Sequence, residues 1–376
     1  MVPSGADLVV GRPNVGSREL FHELVDEIFD NRWFTNDGPM VRRFENELAE
    51  HVGVNECVVV ANGTLGLEIL ARALGLSGEV IVPSFSFVAT AGALSWLGIE
   101  PVFADIDPTT HNIDPDSVRE RITDRTSAIL AVHLWGRPAE VSALEQIALE
   151  HDLELIFDSA HAFGNTLGGA RIGNFGRAEV FSFHATKFFN CFEGGAVTTN
   201  DSALAERLRT IRNFGFAGFD QVDAVGTNAK MTEVCAAMGI TNLRSLDEVV
   251  AANQHNYETY RKLLADIDGI DLISFPEGER NNYQYIVVEV SPAFGTTRDS
   301  LVEFMHAHGV IARRYFWPGI HRFQPYGGMD SPLTSQLPNT VEVADRVVVL
   351  PTGTSVSDSD CELVVDLIRQ HQEACS

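Results

Sequence analysis

Lysine is scarce in this chain of 376 residues, which carries only Lys187, Lys230 and Lys262. Arginine supplies the ordinary surface charge, so a lysine set between an apolar run and a glycine pair asks for a chemical reason. Lys187 is that residue. It stands in Ser182-Phe183-His184-Ala185-Thr186-Lys187, behind the strand-like Ala178-Glu179-Val180-Phe181 and ahead of Glu193-Gly194-Gly195. An amine can form a Schiff base with a carbonyl, which a guanidinium cannot. A solvated loop lysine is the other reading of this segment taken alone.

Residues 153–157 read as a buried strand with Asp158 at its carboxyl end, followed by Ser159-Ala160-His161-Ala162. Ligands of open α/β sheets sit in the crevice at that end of the strands. Asp158 could cap a helix, pair with a cation or face a cofactor. Pyridoxal phosphate chemistry asks for a carboxylate opposite the pyridinium nitrogen and a lysine to hold the aldehyde. A third part is Asn62-Gly63-Thr64, where Val58-Val59-Val60 gives way to a helix with apolar Leu65, Ile69 and Leu70. Backbone N–H groups at such a start, with the Thr64 hydroxyl, suit a phosphate. An ordinary strand-to-helix turn would look the same. No G-x-G-x-x-G pattern occurs, so a dinucleotide fold has no support.

Four segments follow in order: Asn62-Gly63-Thr64, Val82-Pro83-Ser84-Phe85-Ser86-Phe87-Val88-Ala89-Thr90, Phe157-Asp158-Ser159-Ala160-His161-Ala162 and Ser182-Phe183-His184-Ala185-Thr186-Lys187. Together they resemble the DegT/DnrJ/EryC1/StrS family of nucleotide-sugar aminotransferases, from about residue 34 to the C-terminus. The likeness takes in Gly226-Thr227-Asn228-Ala229-Lys230-Met231-Thr232-Glu233 and Arg313-Arg314-Tyr315-Phe316-Trp317-Pro318. It implies an α/β fold of the fold-type-I pyridoxal phosphate class. That means a large domain on a mainly parallel seven-stranded sheet, a small α+β C-terminal domain, and a homodimer with shared active sites.

By this resemblance Lys187 would hold the cofactor aldehyde, then carry the proton between the substrate Cα and the cofactor. Asp158 would face the pyridine nitrogen, His161 the ring oxygen, and Phe87 would stack on the ring. Gly63, Thr64 and Ser182 would cradle the phosphate, with Asn228 reaching it from the other subunit. The family usually has arginine where this chain has Lys230, a charge-conserving swap. Tyr315 and His321 are candidates to bind the sugar nucleotide, and Arg313 and Arg314 to meet its pyrophosphate. Each could instead be packed or solvated.

The resemblance also implies the reaction. L-glutamate would give up its amino group, leaving pyridoxamine phosphate and 2-oxoglutarate, and a keto-sugar on a nucleoside diphosphate would accept it. Ser-Phe-His-x-Thr-Lys with Glu-Gly-Gly is similar to members that aminate C4 of dTDP-4-keto-6-deoxyhexoses. The alternatives are a C3-aminating member, a dehydrating member or a non-catalytic regulatory homologue. Dehydrating members typically have histidine in place of the lysine, and an intact Asp158–Lys187 pair speaks against loss of catalysis.

The elements that must position these residues follow from alternation. Strand-like runs at 57–60, 80–82, 101–104, 128–132, 155–157 and 180–183, separated by helical or loop stretches, predict a mainly parallel sheet covered on both faces. Residues 197–199 would return as a further strand. Helices are expected at 204–214 and 233–246. The expected division is an N-terminal arm or helix over 1–34, a large domain over 35–250 and a small domain over 251–376. The small domain should hold a helix to 264, strands at 283–290 and near 310–314, and a helix at 298–308.

A net charge of −25 argues against nucleic acid or an anionic membrane as partner, and an anionic sugar nucleotide would need a local positive pocket. Five scattered cysteines (Cys57, Cys191, Cys235, Cys361 and Cys375) show no metal spacing and read as reduced thiols in a cytoplasmic protein. The first thirty residues show no apolar core of a signal peptide. Residues 80–99 carry no charge, but Pro83 and several Ser and Thr make a strand and helix a better reading than a membrane span.

Overall fold

Strands covered on both faces need apolar side chains at every position rather than at alternate ones. Glu79–Pro83 and Thr126–Val132 are of this kind, and neighbouring residues of each strand enter different cores. Val58 and Val60 pack with Leu67, Ile69 and Leu70 of the helix Gly63–Leu74, while Cys57 and Val59 pack with Phe44 and Leu48 of the helix Pro39–Val52. Ile81, Ile129 and Phe157 meet Leu144 and Ile147 of the helix Val141–His151. The alternation of side chains across a strand thus builds two helical layers on one sheet.

The computed structural model describes residues 7–375. Its seven-stranded sheet runs in the order Glu56–Val60, Gly195–Thr199, Ala178–Ser182, Glu154–Asp158, Thr126–Val132, Glu79–Pro83, Glu100–Ala104. Gly195–Thr199 is antiparallel to both neighbours, and the other pairings are parallel. The seven expected strands are these seven. Because Glu154–Asp158 and Ala178–Ser182 are adjacent and parallel, Asp158 and the segment leading to Lys187 emerge at one rim. The uncharged stretch 80–99 is the strand Glu79–Pro83 and the helix Ala89–Trp96, and no helix among the described residues is long and apolar enough to cross a membrane.

A three-stranded antiparallel sheet, Ile270–Leu272, Ile286–Val290 and Val347–Leu350, carries the C-terminal core, with Tyr260, Phe294, Leu301 and Ile368 buried against it. Two expectations shift here. The helix expected to start at 251 starts at Leu246, so residue 250 lies inside Leu246–Leu264. Its first turns put Leu246, Val249 and Val250 into the large-domain core, and its last turns put Tyr257, Tyr260 and Leu264 into the small one. The buried stripe changes partners across Asn253 and Asn256, without any glycine or proline to mark the change. The strands expected at 283–290 and 310–314 are shorter, Ile286–Val290 and Val310–Ile311, with Arg313 joined to Val349 by a single bridge.

The N-terminal segment serves both domains. Leu8–Val9 pairs in parallel with Val310–Ile311, whereas the helix Arg18–Asn31 buries Leu24 and Ile28 in the large-domain core. Residues 1–6 of the expected arm lie outside the described residues.

Candidate active site

A cavity of about 740 Å³ opens at the carboxyl rim of the sheet. Its walls include Gly63, Thr64, Phe87, Asp158, His161, Ser182 and Lys187 from the large domain, and Tyr285, Arg313 and Tyr315 from the small one. Seven of the eight residues expected around a cofactor therefore share one space. Asn228 does not. It is exposed and pairs with Asn213 at an isolated bridge, away from this chain's own cavity.

Asp158 is held from two sides: Thr90 Oγ1 donates to Oδ2 (2.9 Å) and the Ala160 N–H donates to Oδ1 (3.2 Å). Ser86 Oγ lies 2.9 Å from Thr90 Oγ1, so a hydroxyl pair backs the carboxylate. Burial pushes its pKa above the ordinary value, opposed by these hydrogen bonds and by Lys187. Beneath it, the fully buried Glu179 accepts from the Ser159 hydroxyl and from the Gly173 and Phe175 N–H groups (2.7 and 2.8 Å), which fixes the turn that follows Asp158.

Lys187 points into the cavity, and burial lowers its pKa from 10.5 to about 8, with Asp158 pulling the other way. A neutral amine is thus available near physiological pH. His161 accepts from the Trp135 N–H at Nδ1 (3.4 Å), which leaves the proton on Nε2. Its ring lies parallel to those of Trp135 and Phe316, and burial first, then Lys187, drives its pKa well below the ordinary value. It is therefore an uncharged hydrogen-bond donor. Phe85 and Phe87 separate cleanly: Phe85 is in the core, while Phe87 is 56% exposed on the cavity and free to stack.

The helix Gly63–Leu74 starts at the cavity, its Leu65 N–H capped by the Asn62 side chain (2.9 Å). Other N–H groups of a first turn have no acceptor within the helix, and they favour an anion. A methyl on Gly63 would stand 3.0 Å from Ser182 Cβ, so glycine lets the helix start close against the Ser182 strand. Pyridoxal phosphate fits this set: an amine with a lowered pKa, a buried carboxylate, an exposed aromatic ring and an anion-binding helix start beside two hydroxyls.

A second cavity, about 420 Å³, adjoins the first and shares Ser86, Phe87, Arg313, Tyr315 and Phe316 with it. The two arginines of the motif divide here. Arg314 pairs with Asp299 (2.8 Å) and lies over Trp317, whereas Arg313 lies over the Tyr315 ring (5.0 Å) with no ion pair among the described residues. Arg313 is thus the arginine left for an anion. His321 lines neither cavity and is corrected to a packing position: it is fully buried, with Nδ1 2.7 Å from Ser84 Oγ. Lys230 also lies off the cavity, over the Phe214 ring (4.3 Å).

Sequence reasoning passed over two residues. Thr90 sat inside a quoted motif without a role. Tyr285 places its hydroxyl 3.4 Å from Lys187 Nζ, and a tyrosine within the strand expected at 283–290 gave no signal of that.

The profile of the DegT/DnrJ/EryC1/StrS aminotransferase family matches residues 16–369. A dTDP-4-amino-4,6-dideoxy-D-glucose transaminase of Shigella dysenteriae is 38% identical over 96% of this chain and 98% of its own length. One of the same name from Escherichia coli is 33% identical, over 96% of each. Among solved structures, DesI in the presence of its TDP-sugar product superposes with a TM-score of 0.94 at 47% identity, covering 99% of this chain and 95% of its own. The aminotransferase TlmJ from Streptoalloteichus hindustanus gives 0.90 at 31% identity, covering 98% and 99%.

Proposed function

Because this chain belongs to the DegT/DnrJ/EryC1/StrS aminotransferase family, we propose that it transfers the amino group of L-glutamate to C4 of a dTDP-4-keto-6-deoxyhexose. The product would be a dTDP-4-amino-4,6-dideoxyhexose, and pyridoxal phosphate the group carrier. The observation that carries this reading is the Lys187 amine, with its lowered pKa, facing the same cavity as buried Asp158. The names of the relatives and the TDP-sugar product of DesI support the choice of sugar.

Bound pyridoxal phosphate supplies an electrophilic carbonyl and an electron-withdrawing ring. Lys187 would take the proton from the donor Cα, hold it on Nζ and give it up on the cofactor side rather than back to Cα; a base works best with a pKa near the working pH. Asp158 holds negative charge against the ring nitrogen, kept in place by Thr90 and the Ala160 N–H. His161 stays uncharged and donates from Nε2. Gly63, Thr64 and Ser182 would hold the phosphate, and Phe87 would cover the ring. The sugar nucleotide would place its hexose near Lys187 and its nucleotide in the adjoining cavity, with Arg313 between them to meet the pyrophosphate.

We further propose a homodimer in which Asn228 completes the neighbouring subunit's phosphate site. Support comes from the exposed Phe214, Phe216, Phe219, Val222 and Val225 beside it in sequence, an apolar set that water does not favour. The five free thiols agree with a reducing cytoplasm.

The test is spectroscopic. Protein loaded with pyridoxal phosphate should lose its cofactor absorption band on addition of glutamate and recover it with dTDP-4-keto-6-deoxyglucose. Loss without recovery would keep the aminotransferase and reject this sugar. A band indifferent to glutamate would overturn the donor.

A further inference from the structure

We infer that Tyr285 is a positioning residue for proton transfer at Lys187, tied through Gln284 to a small cavity beneath the N-terminal segment. The inference rests on the reading of Lys187 as the proton carrier. Tyr285 Oη lies 3.4 Å from Nζ, and no other side chain hydrogen-bonds the amine among the described residues. No hydrogen bond or ion pair joins Asp158 to the amine among the described residues; its oxygens accept from Thr90 and Ala160. The Tyr285 ring is 7% exposed and is set edge-on to His161 (4.8 Å) and Trp135 (5.4 Å).

A hydroxyl suits both states of an amine through one atom. It donates to Nζ when the amine is neutral and accepts from it when the amine is charged. Burial raises the phenol far above its ordinary pKa, so it keeps its own proton throughout. When Nζ gains a proton, the Tyr285 hydroxyl turns from donor to acceptor and no O–H bond breaks. Its own hydrogen then needs a second acceptor.

Gln284 and the space behind the ring meet that need. A cavity of about 20 Å³ lies between Asn14, Phe188, Asn253, Gln284, Tyr285 and Thr352. Gln284 is 6% exposed, and neither atom of its amide has a hydrogen-bond partner among the described residues, although the amide is close enough to Tyr285 to lower the phenol's pKa. A space of this size with several polar groups holds one water. The N-terminal segment closes it: Asn14 Nδ2 donates to the Phe188 carbonyl (3.1 Å), and Asn14 Oδ1 accepts from Thr354 (2.9 Å). One asparagine thereby fixes the lysine loop against the domain that carries Tyr285.

The experiment measures Lys187 itself. In cofactor-free protein, the rate of reductive methylation at Lys187 is followed against pH by mass spectrometry, for wild type, Tyr285→Phe and Gln284→Met. A hydrogen bond to an ammonium is stronger than one to a neutral amine. Loss of the hydroxyl should therefore lower the midpoint, by roughly half a unit to one unit in Tyr285→Phe, and by less in Gln284→Met. With cofactor loaded, the glutamate half-reaction of Tyr285→Phe should slow by at least about tenfold with KM held within about twofold. An unchanged midpoint and an unchanged half-reaction in Tyr285→Phe would overturn the inference. Should that variant misfold, an unmoved midpoint in Gln284→Met overturns it instead. Failure of wild-type protein to take up pyridoxal phosphate would strike the cofactor reading, and the methylation midpoints would still decide the role of Tyr285.

Discussion

The two walls of the cavity are built in opposite ways. On the large-domain side each reactive group sits within a few residues of a parallel strand: Asp158 ends Glu154–Asp158, Ser182 ends Ala178–Ser182, and Gly63 opens the helix after Glu56–Val60. On the small-domain side Tyr285, Arg313, Tyr315 and Phe316 all lie outside regular strands, and Arg313 is tied down by one bridge to Val349. The walls meet where Phe316 stacks on His161 and Trp135 (5.7 and 5.3 Å). The groups proposed to hold the cofactor follow the ends of sheet strands, whereas Arg313 and Tyr315, proposed to meet the substrate, stand on loops, and Tyr285 beside them reaches Lys187 instead. That division is a physical one, since a strand buried in two layers cannot shift without moving its neighbours.

The largest expected effect tests the sheet side. Lys187→Ala should abolish the glutamate half-reaction, a fall of at least about 10³-fold in single-turnover rate, while the far-ultraviolet circular dichroism stays that of wild type. Asp158→Asn should follow with a loss of about 10²-fold in kcat and a KM changed little, because it removes charge rather than substrate contact. If Asp158→Asn raised KM instead, the sheet wall would be binding substrate and the division would fail.

How much of this could be read in the sequence differs between the walls for the same reason. Largely apolar runs made six of the central strands legible, the glycine pair ahead of 197–199 marked the seventh, and the reactive residues follow those strands. Tyr285 was not legible, because it lies 98 residues from Lys187 and no pattern links them. His321 was misplaced because its partner, Ser84, is 237 residues away, and an aromatic stretch says nothing about which of its rings face inward. The helix Leu246–Leu264 hid the passage between domains, since its buried face runs on through Asn253 and Asn256 with no helix-breaking residue while the core it faces changes.

On the loop side the expected effects are smaller and fall on binding. Arg313→Gln should raise KM for the sugar nucleotide by about tenfold or more with kcat nearly unchanged, and the defect should shrink at high salt, where the charge is screened in wild type too. Arg314→Gln should do less, because Asp299 already engages that guanidinium. Equal losses in the two variants would mean that the ion pair with Asp299 does not reserve Arg314, and the two cavities would need another anion contact.

The smallest effect belongs to a residue on neither wall. His321 is fully buried against Ser84, and burial lowers its pKa from 6.5 to about 4. The unfolded chain takes up a proton at pH near 6.5 that the folded chain refuses until about 4. The stability that the neutral ring contributes is therefore present above pH 6.5 and lost as pH falls toward 4. His321→Asn removes the titrating group and its contact with Ser84 together. It should cost about 1–2 kcal/mol at pH 7 and flatten the stability curve between pH 6.5 and 4, with sugar-nucleotide KM unchanged. Denaturant melts across that range, beside steady-state kinetics, separate the outcomes. A raised KM with unchanged stability would return His321 to the substrate wall, and that wall would then reach into the core.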